Sequence, residues 1–131
     1  MLPPELERLK SFHGHLGPYA AAGYRMGMLA CKLLCARGKK LRAEVKTGIS
    51  PPISCMIDGI QLSSSCTLGK GNITATDEGI PEAIFKGERE LIISLKENAH
   101  EIAKNMQKED EEAAALKIWE MTDEELFEVK G

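Results

Sequence analysis

The sequence has no long apolar run. Nothing in it approaches the roughly 18 consecutive apolar residues of a membrane-spanning helix, and the opening MLPPELERLK has no apolar signal core. No membrane is expected, and the expected compartment is the cytoplasm. The sequence also has no CxxC pair: Cys31, Cys35, Cys55 and Cys66 each stand alone. That removes a zinc-finger reading and, in a reducing compartment, makes them thiols or ligands rather than structural disulfides. An excess of positive charge is missing too. Lys and Arg number 17 against 20 Asp and Glu, a formal net charge of −3. Bulk charge therefore does not hold a nucleic acid or an anionic membrane. There is no internal repeat and no low-complexity segment.

What remains is 131 residues, 43% hydrophobic and 28% charged, which suits one soluble domain over 1–131. PPELERLKSF places prolines where a first helical turn takes them, with Leu6, Leu9 and Phe12 on one face and a stop at Gly14. A second helix is expected from Gly17-Pro18 to a C-cap at Gly38, with Ala20, Tyr24, Met28, Cys31 and Cys35 as its apolar stripe. Gly23 and Gly27 mark close packing on that helix. LRAEVKTG alternates as a half-buried strand through Leu41, Ala43 and Val45. SCMIDGIQLSSS reads as a helix N-capped by Ser54. CTLGKGNI is a glycine-rich loop, and NITATDEG, PEAIFKG and ELIISLK read as strands. From Glu97 to about Trp119 the spacing is helical, and Thr122 and Glu125 form a capping-box pattern. Trp119, Met121, Leu126 and Phe127 read as a C-terminal staple onto the core, or as a dimer contact. The order predicts an α+β fold with a small, mostly antiparallel sheet packed with helices.

Two of the three histidines lie in FHGHLGP, ahead of the second helix. In an extended loop, His13 and His15 would present their rings to one side, and neutral imidazoles bind transition metals. The pair fits equally a helix cap beside a solvated ring. Cys55, Asp58 and Gln61 fall at helical spacings of three. Cys66 opens the glycine loop, where Lys70 and loop amides would lower a thiol pKa and make it a ligand or a nucleophile. TLGKGN is not a Walker A loop, since Gly71 follows the Gly-Lys pair and a strand follows that. Cys31 and Cys35 read as core, His100 as solvated, and KEDEEAAALK as a solvated helical face.

Taken in order, FHGHLGPYAAAGYRMG, CMIDGIQ, CTLGKGN and DEELFEV resemble the E-subunit family of formylmethanofuran dehydrogenase, from about residue 10 to 130. The resemblance implies an α+β core and a homodimer. It implies a polar cluster of His13, His15, Cys55 and Cys66, with Asp58, Gln61, Lys70 and Asn72 around it. It also implies a place beside a molybdenum or tungsten enzyme of one-carbon metabolism in methanogenesis. Longer relatives carry a zinc-finger tail, so this chain resembles the core alone. Many relatives have a cysteine where this chain has Gly17. The remaining two histidines and two cysteines suit tetrahedral zinc by ligand type, and a catalytic zinc needs only three of them.

Three functions follow. The first is a metal-binding protein, with zinc the expected ion at His13, His15, Cys55 and Cys66 and catalytic roles at Cys66, Lys70 and Asp58. The second is an interaction or assembly subunit without catalysis. The third is a metal-free thiol-dependent enzyme using Cys66.

Overall fold

The computed structural model describes residues 2–106 and 110–131. Helix α1 (Pro4–His13) opens on a proline at its first turn and buries Leu6 and Leu9 completely. Each such leucine contributes about 1.5–3 kcal/mol by leaving water. Its end is set at Gly14, whose φ of 95° only glycine adopts at little cost, and whose amide donates to the Lys10 carbonyl at 2.8 Å.

Helix α2 (Pro18–Leu34) is the central element, with Tyr19, Ala20, Ala22, Tyr24, Met26, Leu29 and Ala30 buried. Its burial differs from the expected stripe, because Met28 and Cys35 are exposed. It also stops earlier than Gly38. Cys35 takes the left-handed capping position at φ 50°, and Gly38 instead opens a 3-10 turn over Gly38–Lys40.

Helix α3 (Met56–Ser64) packs against α2 at backbone distance. A Cβ on Gly23 would lie 2.1 Å from the Met56 carbonyl oxygen, and one on Gly59 would lie 2.1 Å from that of Ala20. Ser54 does not cap α3. A 3-10 turn over Ile53–Cys55 leads into it, Cys55 occupies the cap position, and no side chain accepts there.

The sheet comprises β1 (Arg42–Val45), β2 (Ile73–Ala75), β3 (Glu82–Lys86), β4 (Glu90–Leu95) and β5 (Phe127–Lys130), in the order β2-β1-β3-β4-β5. Only β1 and β2 run parallel; Ala43 sits opposite Ile73 on one side and opposite Phe85 on the other. The expected alternation holds. Ala43, Val45, Ala83, Phe85, Leu91, Ile93 and Leu95 are buried and join one core with α2. Among the described residues the architecture is α+β, six helices on a mostly antiparallel sheet.

The helical stretch after Glu97 is two helices, α4 (Glu97–Met106) and α5 (Glu111–Glu120). The expected continuity through 107–109 lies outside the described residues. Thr122 and Glu125 form both bonds of the capping box at the start of α6 (Asp123–Leu126). That helix lasts one turn, and its continuation is β5, a strand the sequence reading did not anticipate. Phe127 there pairs with Leu95 at the sheet edge. The staple is present: Trp119 packs edge-on to Tyr24 with ring centroids 5.6 Å apart, while Arg25 donates to the Trp119 and Met121 carbonyls.

Candidate metal centre

The site gathers where α1 ends, α2 begins and α3 begins. His13 is the last residue of α1, and the left-handed turn at Gly14 brings His15 back beside it, with ring centroids 4.4 Å apart. The rings therefore meet because a helix stops, not because the segment is extended.

Asp58, in the first turn of α3, fixes the His13 ring. Its Oδ2 accepts from Nδ1 of His13 at 2.5 Å, and Gln61 donates to its Oδ1 at 3.3 Å. A carboxylate on Nδ1 holds the ring in the tautomer whose Nε2 lone pair is free. The His13 side chain is only 10% exposed. Among the described residues, its Nε2 is the buried side-chain polar atom with no hydrogen-bond partner. A buried acceptor left unpaired costs about 1–3 kcal/mol, so this atom calls for a ligand.

His15 is more open, at 50% exposure, and its Nδ1 faces the Glu111 carboxylate at 3.1 and 3.2 Å. Each imidazole thus has a carboxylate at Nδ1, the arrangement that orients histidine ligands in metal sites. Cys55 completes the group: one ligating atom each from His13, His15 and Cys55 lie within 4.8 Å of one another. Burial pushes the Cys55 thiol up, with the Asp58 and Glu111 charges acting in the same direction. The three side chains line a small cavity of about 10 Å³ with Gly17, Pro18, Tyr19, Ala20, Pro52 and Glu111. That is about the space of a single water-sized sphere. A bare Nε2, a second oriented imidazole and a thiol around such a space fit a transition metal by donor type.

Cys66 is placed elsewhere. It is fully buried after α3, its own N–H donates to Ser64 Oγ at 3.1 Å, and it is not among the three converging side chains. Lys70 does act to lower its pKa, as expected, but the net shift is upward. Burial pushes the thiol up, and the Ser64 bond and the Lys70 charge offset only part of that. The physical reason is the complete burial of the thiol; Lys70, exposed and tied to Thr67 Oγ1 at 2.9 Å, lowers it less than burial raises it.

Gln61 and Asn72 serve as clips. Gln61 accepts from the Leu68 amide at 2.9 Å while donating to Asp58, so the glycine loop braces the carboxylate that orients His13. Asn72 accepts from the Thr67 amide and donates to the Gly38 and Leu41 carbonyls, pinning that loop to the start of β1. Two further expectations change. His100 is not simply solvated, since its Nδ1 meets the Tyr19 hydroxyl at 3.1 Å. Desolvation pushes that phenol up to about 12. Of the two cysteines read as core, Cys31 packs against the core and Cys35 is exposed.

Glu111 is the site residue the sequence reading missed. It sits in an acidic run at the start of α5, where an acid in a first helical turn is ordinary, and nothing local distinguishes it from Glu112.

Three comparisons bear on this site. The profile described as "FmdE, Molybdenum formylmethanofuran dehydrogenase operon" matches residues 12–128. The chain belongs to the FmdE family. A "Probable S-adenosyl-L-methionine-binding protein" from Archaeoglobus fulgidus is 33% identical over 81 residues, which is 56% of this chain. The match spans only 21% of that relative's length. Among solved structures, a tungsten formylmethanofuran dehydrogenase FmdE-like protein from Syntrophus aciditrophicus superposes with a TM-score of 0.68 at 23% identity. That match covers 95% of this chain and 68% of the other, and it shows the same fold. Among the described residues, no helix is long and apolar enough to cross a membrane.

Proposed function

We propose that this protein binds one transition-metal ion, zinc by ligand type, on His13, His15 and Cys55. The observation that carries the reading is His13 Nε2, buried and unpartnered while Asp58 holds the opposite side of the same ring. Two nitrogens and a sulfur from three separate segments suit a borderline-soft divalent ion, and three protein ligands leave it an open position.

An ion bound there would supply Lewis acidity toward a small ligand. The chain's own residues do the rest. Asp58 and Glu111 keep both imidazoles oriented, and Gln61 holds Asp58 in place. The His13 ring, 10% exposed, is held against α3 by its bond to Asp58. The raised Cys55 thiol would bind as thiolate, its proton displaced by the cation. On the family reading, such a site works beside a molybdenum or tungsten enzyme of one-carbon chemistry in the cytoplasm. The fully buried, high-pKa Cys66 gives no support to a thiol nucleophile at that position.

The test is elemental analysis of the untagged protein after dialysis against zinc. The wild type should retain about one equivalent, as a single three-ligand site requires. His13→Ala and Cys55→Ser should lose it, while Cys66→Ser keeps it. A natively folded His13→Ala variant that still holds a full equivalent would contradict the proposal.

A further inference from the structure

One wall of the metal cavity is the first turn of α2, which the three ligands leave unused. Gly17, at its cap position, has no side chain to accept a hydrogen bond, and the first turn contains no acidic residue. Pro18 has no N–H. The earliest bond within the helix is from the Ala21 amide to the Gly17 carbonyl at 3.1 Å. The amides of Tyr19 and Ala20 are therefore the free donors of a 17-residue helix. They sit at the end carrying about half a positive charge. Tyr19 and Ala20 line the same cavity as the unpartnered His13 Nε2. A cation alone gains nothing from such a wall, whereas an anion does.

Building on the metal-binding reading above, we propose that the ion's open position takes a small monoanion, an inorganic one or a short carboxylate, seated against the Tyr19 and Ala20 amides. The ion itself takes the cavity of about 10 Å³, so the anion's ligating atom sits at the cavity mouth and its body lies outside. Any body extends to solvent past the half-exposed His15. Two carboxylates oppose the anion, beside the Cys55 thiolate that the ion itself neutralises. Asp58 is engaged by His13 and Gln61, and Glu111 by His15. Glu111 lines the cavity and is the closer deterrent.

The experiment loads the untagged protein with Co(II), whose visible spectrum reports coordination, and titrates it with azide, acetate and neutral acetamide. Azide and acetate should shift the band saturably, at concentrations about tenfold below acetamide, the factor a helix terminus in a partly buried site supplies. Comparing azide with acetate separates the inorganic source from the carboxylate source. Gly17→Ser places a hydroxyl where it caps those amides, and its Cβ meets nothing nearer than Glu111 Oε2 at 3.7 Å. This variant should keep the cobalt band and weaken both anions severalfold. Glu111→Gln retains an acceptor for His15 and should tighten them severalfold. A normal cobalt band indifferent to both anions, or anion binding unchanged in both variants, overturns this proposal alone. Absence of any protein-bound cobalt band overturns the metal reading and this proposal with it.

Discussion

His13 and Cys66 show how differently two candidate ligands can turn out once burial is known. Both came from motifs, but His13 is partly buried with a buried nitrogen that has no partner, while Cys66 has settled into the core. The histidine pair was legible because two imidazoles two residues apart are rare in so histidine-poor a chain. Glu111 was not legible, since its role comes from a contact 96 residues away in sequence. The fate of Cys66 was not legible either. Lys70 lies four residues on and does lower the thiol pKa, but how far burial outweighs that charge is decided by tertiary packing. One consequence is measurable with a thiol-alkylating reagent and peptide mass mapping. Cys35, exposed at the end of α2, should be labelled first. Cys66, at 0% exposure with its thiol pushed up, should be protected until the protein unfolds. Equal labelling rates in the native protein would contradict this placement.

At the scale of elements, the contact between α2 and α3 fixes the site, because α2 brings the cavity wall and α3 brings Cys55 and Asp58. Gly23 and Gly27 were legible as packing glycines from their spacing of four. Their partner was not, and it proves to be α3, with Gly59 facing Ala20. The helix ends were read less well. Ser54 stands before α3 like a cap, but the 3-10 turn over Ile53–Cys55 moves the helix start past it. A capping motif states a local preference, and the tertiary path into the helix overrides it. Gly59→Ala would force a methyl to 2.1 Å from a backbone oxygen that cannot move independently. It should destabilise by about 3 kcal/mol or more, as overpacking against backbone does. Gly69 has open space at its Cβ, so Gly69→Ala should stay within about 0.5 kcal/mol of wild type. Urea midpoints of the two variants check this, and equal midpoints would show that α2 and α3 do not meet through Gly59.

For the whole molecule, the α+β class and four of the five strands were legible because alternating burial survives in short strands such as EAIFK and ELIISL. Strand β5 was not, because a four-residue strand following a capping box carries helical signals up to its first residue. The parallel β1–β2 pair was hidden as well, since strand direction depends on the crossover through α3 rather than on either strand's composition. The candidate metal centre has the same character. Its candidate ligands come from the end of α1, the turn after it and the entry to α3, and only the complete fold brings them within 4.8 Å. X-ray absorption at the metal edge of the zinc-loaded, untagged protein examines that convergence directly. The account predicts a first shell with one sulfur and nitrogen scatterers from both imidazoles, and the same single sulfur in Cys66→Ser. A shell with two sulfurs that falls to one in Cys66→Ser, or a shell with none, would contradict it.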